Sequence, residues 1–232
     1  MLSEPALPIL YRDGHLVAFL KPSGMLVHRG WARDRLTAVD LAAAALGARV
    51  YPVHRLDRGT SGVLLFALSS EVAAATQLLF RRALVAKTYL ALVRDTAPPS
   101  GVIDHPVPNE EHGPRVDATT DFTRLWVGDH ASLLEARPHT GRLHQVRRHM
   151  KHIRHPVVGD ANYGDGKVNR YHRDRYGLAR LALHAWHISL PHPIHGVPLA
   201  VHAQLPPDLA LPFTSLGIPP ELWATAPRES RP

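Results

Sequence analysis

The chain has 232 residues, a formal net charge of +7, 45% hydrophobic and 20% charged residues, which excludes wholesale disorder and a fibrous protein and suits one or at most two domains. No apolar run approaches the ~18 residues that span a bilayer, and the start carries no secretory signal. With no cysteine, disulfides, thiolate metal sites and a cysteine nucleophile are excluded, and a cytoplasmic setting is expected.

Ile9–Tyr11 and Leu16–Leu20 are short apolar runs around Asp13-Gly14, a hairpin-turn dipeptide, so two paired strands are predicted. Lys21-Pro22-Ser23-Gly24 ends the second. Thr37-x-x-Asp40 predicts a capping box opening an Ala-rich helix to about Leu46, with Gly47 at its end. Val63–Leu68 reads as a buried strand. Ser70 opens a helix to about Arg82, with Val72, Ala75, Leu79 and Leu84 on one face. Lys87–Val93 reads as a strand, and Pro98 to Pro114 as a loop rich in Pro, Gly and acids. Thr119–Val127 and Ser132–Ala136 are predicted to pair. A helix is predicted from Arg142 to Ile153, with Leu143, Val146, Met150 and Ile153 as its apolar stripe.

Gly159 to Gly177 reads as a polar loop, Leu181–Leu190 and Val197–Val201 as closing strands, and the Pro-rich tail after Leu205 as a surface segment. Hairpins with few helices predict an α+β fold rather than a regular βαβ wind. No linker separates independent cores. The expected division is a single domain over residues 1–205 and a tail, 206–232, packing on it or trailing from it.

Charge is concentrated in one stretch. Arg137 through Arg180 carries 11 basic and three acidic residues, a net of +8, so the remainder is −1. Of all basic residues 23 are Arg and four Lys, and the planar Arg fork suits phosphate and bases. A nucleic acid is the natural partner. Arg147, Arg148, Lys151 and Arg154 are the candidate phosphate contacts. His144, His149, His152 and His155 lie in the same stretch, with His184 and His187 further on. No His-Glu-x-x-His pattern accompanies them, so solvated or phosphate-facing histidines are expected and no metal site.

His54-Arg55-Leu56-Asp57-Arg58-Gly59-Thr60-Ser61-Gly62 precedes a buried strand and places Asp57 in a loop between two guanidinium groups. Such a setting favours the carboxylate anion, which suits a nucleophile rather than a general acid. Thr60, Ser61 and Gly62 offer hydroxyls and a flexible backbone position for holding the loop. For Arg55-Leu56-Asp57-Arg58 taken alone, an ordinary turn with surface salt bridges is the favoured reading.

The longer string His-Arg-Leu-Asp-x-x-Thr-Ser-Gly resembles the signature of the RluA-type pseudouridine synthases at every specified position. The segment Ile9 to Gly24, Lys87-Thr88-Tyr89, Thr140-Gly141-Arg142-Leu143-His144-Gln145-Val146-Arg147, Pro156 to Asp160 and Leu181-x-Leu183-His184-Ala185 resemble later or earlier motifs of that family in order. Val27-His28-Arg29-x-Trp31 and the run Arg147 to Pro156 resemble the tRNA pseudouridine-65 subgroup. Only about eight residues precede the first strand, too few for the small RNA-binding domain that some relatives acting on ribosomal RNA carry there. The stretch from Leu92 to Phe122 is shorter than this subgroup leads one to expect.

The resemblance implies an α+β fold with a mixed, largely antiparallel central sheet and flanking helices. It also implies a cofactor-free isomerase acting on uridine in RNA, most closely tRNA, with no DNA or membrane partner and a monomeric state. Asp57 is then the nucleophile. Arg142 pairs with it, Tyr89 stacks on the detached uracil, Arg55 fills the space the extruded nucleotide leaves, and Leu183 lines the base pocket or belongs to the core. Ribosomal RNA as substrate, a non-catalytic RNA-binding module and, on histidine count alone, a metal hydrolase are the competing readings.

Overall fold

The computed structural model describes residues 7–29, 36–111 and 113–225. Trp31 and the last seven residues of the tail lie outside them. In chain order the elements are β1 (Ile9–Arg12), β2 (Leu16–Lys21), α1 (Ala38–Leu46), β3 (Tyr51–Pro52), β4 (Ser61–Ala67), α2 (Ser70–Arg81), β5 (Ala86–Arg94), β6 (Ser100–Asp104), β7 (Val107–Pro108) and β8 (Arg115–Val116). There follow β9 (Thr119–Gly128), β10 (Ala131–Pro138), α3 (Gln145–His152), α4 (Gly166–Tyr176), β11 (Leu183–Pro191), β12 (Pro198–His202) and α5 (Pro207–Ser215). The chain forms two compact units, Met1–Val85 with His187–Ala203, and Ala86–Trp186 with Gln204–Pro232.

In the first unit β2 is antiparallel to both β1 and β4, β3 pairs with β4, and β12 pairs with the second half of β11. β2 and β4 are buried on both faces, which is why they read as continuous apolar runs rather than alternating ones. Leu16, Ala18, Val63 and Leu65 pack with Val72, Ile188 and Val201. Three residues, Asp13 to His15, link β1 to β2. The Asp13 carboxylate accepts from the backbone N–H groups of His15 and Leu16, both at 2.7 Å, so the turn predicted at Asp13-Gly14 is held by the Asp13 side chain. The predicted capping box of α1 is present, and Gly47 closes the helix at φ 62°. α2 begins at Ser70 as predicted, with Ser69 as its N-cap. Its buried face is Val72, Ala73 and Thr76, whereas Leu84, beyond the helix end, is 49% exposed.

In the second unit the strand order is β11-β5-β10-β9-β6, with β10 antiparallel to both β5 and β9. Leu90, Leu92, Leu133, Leu134 and Met150 form its centre. Three segments depart from the sequence reading. The predicted loop from Pro98 contains β6 and β7; β6 is an edge strand with Ile103 alone buried, too little apolar signal to read. The predicted polar loop from Gly159 contains α4, which buries only His172 and is instead marked by its ends: Asp165 caps the first turn and Gly177 closes the last at φ 71°. The tail does not run over the surface. It forms α5, started by Pro207 at the first helical position, and buries Leu209 and Phe213 completely. α3 begins at Gln145 rather than Arg142, because His144 adopts a left-handed conformation, φ 53°, and admits the chain to the helix from there.

Candidate active site

The loop carrying Asp57 is clamped by the segment that follows β2. Lys21 is fully buried, and its ammonium donates to the carbonyls of Pro22 (2.9 Å), Met25 (2.7 Å) and Arg58 (3.2 Å). Ser23 Oγ donates to the Gly59 carbonyl at 2.8 Å, and Gly24 N–H to the Arg58 carbonyl at 2.8 Å. Arg58 Nε returns a bond to the Gly24 carbonyl at 3.0 Å. Two sequence motifs that lie far apart in the chain thus make one backbone-locked structure, with Asp57 half-buried and Arg55 exposed on it. Sequence reading placed Lys21 and Ser23 at the end of a strand and within a motif, without giving either residue a role.

Within the loop, Thr60 N–H donates to the Asp57 carbonyl at 3.0 Å. Its hydroxyl is buried and has no hydrogen-bond partner among the described residues, so the backbone and not the Thr60 side chain holds the loop. Gly62, the second residue of β4, has φ 123°, a conformation L side chains rarely adopt, which explains the glycine of the motif. His54 Nε2 accepts from Leu65 N–H at 2.9 Å, and its ring stacks on Phe80 at 5.3 Å.

Tyr89, Arg142 and Leu183 belong to the second unit. Lys87 and Tyr89 lie two apart on β5 and so share a face. Tyr89 packs half-buried against the core of this unit. Lys87 is half-buried, and its ammonium donates to the Thr140 carbonyl at 2.8 Å. Burial lowers its pKa from 10.5 to about 8. Between those values the unfolded chain binds more protons than the folded one, so Lys87 makes stability rise with pH across that window. Replacing it, Lys87→Met, is expected to remove that rise. Urea midpoints of both proteins at pH 7.5 and pH 10 test this; a constant gap between them rules it out.

Arg142 lies in the turn before α3, half-buried, with Nε donating to the Asp117 carbonyl at 3.3 Å. The turn is organised by Gln145, which sequence reading did not single out. Its Oε1 accepts from Thr140 Oγ1 (2.6 Å) and Arg142 N–H (3.1 Å), and its Nε2 donates to the Thr119 carbonyl and Thr120 Oγ1, both at 3.0 Å. All four of its hydrogen-bonding positions are used, as a buried amide requires. Leu183 is 3% exposed and sits in the core of this unit.

The basic residues divide. Arg147 is not a surface phosphate contact. It forms a two-pronged buried pair with Asp160, Nε to Oδ2 at 2.7 Å and an η-nitrogen to Oδ1 at 2.9 Å. Burial alone would push the Asp160 carboxyl up; the hydrogen bonds and charge of Arg147, with the N–H groups of Tyr163 and Asn162, outweigh it and hold the group below its ordinary value. Arg148 is half-exposed, and Lys151 and Arg154 are exposed. The histidines are less solvated than expected. His149 is buried between Thr120 Oγ1 and the His105 carbonyl, both at 2.9 Å, and His155 Nδ1 lies 2.8 Å from the Arg94 carbonyl. His152 stacks on His105 with centroids 3.7 Å apart. Among the described residues, no group of three or more His, Asp or Glu is arranged to hold a metal ion, and no helix is long and apolar enough to cross a membrane.

Comparison with known proteins agrees with the motif reading. The family model for RNA pseudouridylate synthase matches residues 15–152. The chain is 43% identical over 212 residues to tRNA pseudouridine synthase C of Pasteurella multocida (strain Pm70), covering 81% of this chain and 87% of that one. It is 41% identical over 222 residues to the protein of the same name from Pectobacterium carotovorum subsp. carotovorum, covering 85% of this chain but only 59% of that longer protein. Among solved structures, human RNA Pseudouridylate Synthase Domain Containing 4 superposes with a TM-score of 0.75 at 28% identity, over 90% of this chain and 92% of that one. With the motif residues in one clamped loop and one Gln-centred turn, and with relatives of this identity along most of its length, the chain belongs to the RNA pseudouridylate synthase family.

Proposed function

We propose that this protein converts a uridine of tRNA, at position 65, to pseudouridine in the cytoplasm, acting as a monomer and without a cofactor. The observation that carries the reading is the Asp57 loop, locked at its backbone by Lys21, Ser23 and Gly24, in a chain whose relatives are named for tRNA. The bond from N1 to ribose C1′ breaks, the base turns, C5 joins C1′, the proton on C5 leaves and N1 takes one up. The net change is an isomerisation and needs no oxidant.

Asp57 is the nucleophile, and Arg142 serves the same reaction from its motif. Arg55, exposed on the loop, takes the space the extruded nucleotide vacates. Tyr89 offers its ring to the uracil, as proteins commonly hold a base taken out of its helix. Leu183 forms the apolar floor behind it. Arg148, Lys151 and Arg154 meet the RNA backbone. Ribosomal RNA as substrate keeps every one of these roles, so mapping decides between the targets. Pseudouridines in total RNA from cells with and without the gene should differ at uridine 65 of tRNA; a difference confined to ribosomal RNA would transfer the assignment there.

The role of Tyr89 is separable. Tyr89→Phe keeps the ring and loses the hydroxyl. It is expected to retain tRNA affinity while turnover falls by at least about tenfold, ~1.4 kcal/mol of barrier, if the phenol handles the C5 proton. Unchanged turnover would confine Tyr89 to stacking.

A further inference from the structure

Tyr163 stands at the centre of a cationic cluster in the second unit. The charged groups of Arg147, Arg148 and Lys151 lie 5.0, 5.3 and 5.9 Å from its ring centroid. Arg148 Nε donates to the phenol oxygen at 2.9 Å, and His144 Nδ1 is 3.0 Å from the same oxygen. Tyr163 is itself anchored, its N–H donating to Asp160 Oδ1 at 3.1 Å. One buried carboxylate therefore sets the position of the ring and neutralises Arg147.

Arg148 and Lys151 are left with their charge. Among the described residues neither has an acidic partner. The three acids of the basic stretch are engaged elsewhere: Asp160 with Arg147, Asp165 capping α4 and pairing with Arg94, and Asp174 with Arg173. Two cations three residues apart on a helix repel one another. The ring's negative face offsets part of this and holds both groups on one side of the helix. A ligand that brings negative charge to this point gains both cations without having to order them first.

We infer that Arg148 and Lys151, held on Tyr163, form a preorganised site for a phosphate of the RNA backbone, with Tyr163 as its positioning residue. The inference rests on the reading of RNA as substrate. The site is cationic, and phosphate contacts contribute affinity and register rather than sequence choice.

The test is the salt dependence of tRNA binding, measured by fluorescence anisotropy on an unmodified transcript. Removing one cation that neutralises a phosphate lowers the slope of log Kd against log salt by about one. Arg148→Gln and Lys151→Gln are each expected to lower the slope by about that amount and to raise Kd several-fold. Tyr163→Leu removes the ring and should lower the slope by about one or more although it removes no charge, a change that a purely structural residue does not produce in a folded protein. In the Tyr163→Leu background, Arg148→Gln should add little. A wild-type slope in both Arg148→Gln and Lys151→Gln overturns the site, and so does a wild-type slope in folded Tyr163→Leu. If Tyr163→Leu does not fold, the two charge variants decide the matter. Pseudouridine formation is measured in parallel. Altered slopes with no product from the wild-type enzyme sink the proposed reaction and keep the site; normal product with unaltered slopes does the reverse.

Discussion

Asp57→Asn is expected to lower pseudouridine formation by more than about 1,000-fold, ~4 kcal/mol of barrier, while tRNA affinity stays the same or rises slightly. The side chain keeps its size and loses its charge and most of its nucleophilicity. The loop should keep its shape, because the clamp bonds described above end on backbone carbonyls of Pro22, Gly24, Met25, Arg58 and Gly59, which the substitution leaves in place. Affinity is set mainly by phosphate contacts, and removing one negative charge near a polyanion does not weaken them. The assay is pseudouridine formation on a tRNA transcript, with binding at matched salt and a melting curve as the check on folding. Full turnover by a folded Asp57→Asn protein would overturn the mechanism.

The second large effect is on stability. Asp160 has a fully buried side chain, and Arg147 is 9% exposed. Asp160→Asn leaves a buried guanidinium without its counter-charge and is expected to cost about 3–5 kcal/mol. For a chain of this size that lowers the melting temperature by roughly 10 °C. The double variant Arg147→Met with Asp160→Asn should lose less than the sum of the two single changes, since the second no longer strands a charge. Acid gives an independent readout. The folded-state pKa of Asp160 lies below its ordinary value, so its contribution is present above about pH 4 and is lost as pH falls through the lowered value. Asp160→Asn should flatten that part of the acid-unfolding curve. A loss below about 0.5 kcal/mol by urea titration would show that the pair contributes little.

Arg147 and Arg148 show where sequence reading stops. They are neighbours in the same basic run, and charge clustering assigns both to phosphate. On α3 they point about 100° apart. One meets Asp160 inside the protein and the other Tyr163 at its edge. Helical spacing sets Arg147 beside the apolar stripe, between Leu143 and Met150, but its partner Asp160 lies beyond the helix. Lys21 also depends on distant partners: it is buried at the end of β2 because three carbonyls converge on it, one from Arg58, 37 residues away.

The chain by itself determined what short-range physics controls. The Thr37–Asp40 capping box and Gly47 bound α1 because their bonds close within a few residues. The apolar runs of β2 and β4 announced buried strands because no other structure hides such runs as readily. The order of the chemical motifs was legible too, and it carried the family. Tertiary structure alone decided α4 and α5, the first polar and marked only by its caps, the second disguised by Pro207 and Pro212. It also decided which charges are spent inside the fold and which face outward. The reason is that a charged side chain's environment is set by what packs against it, and those partners come from distant parts of the chain.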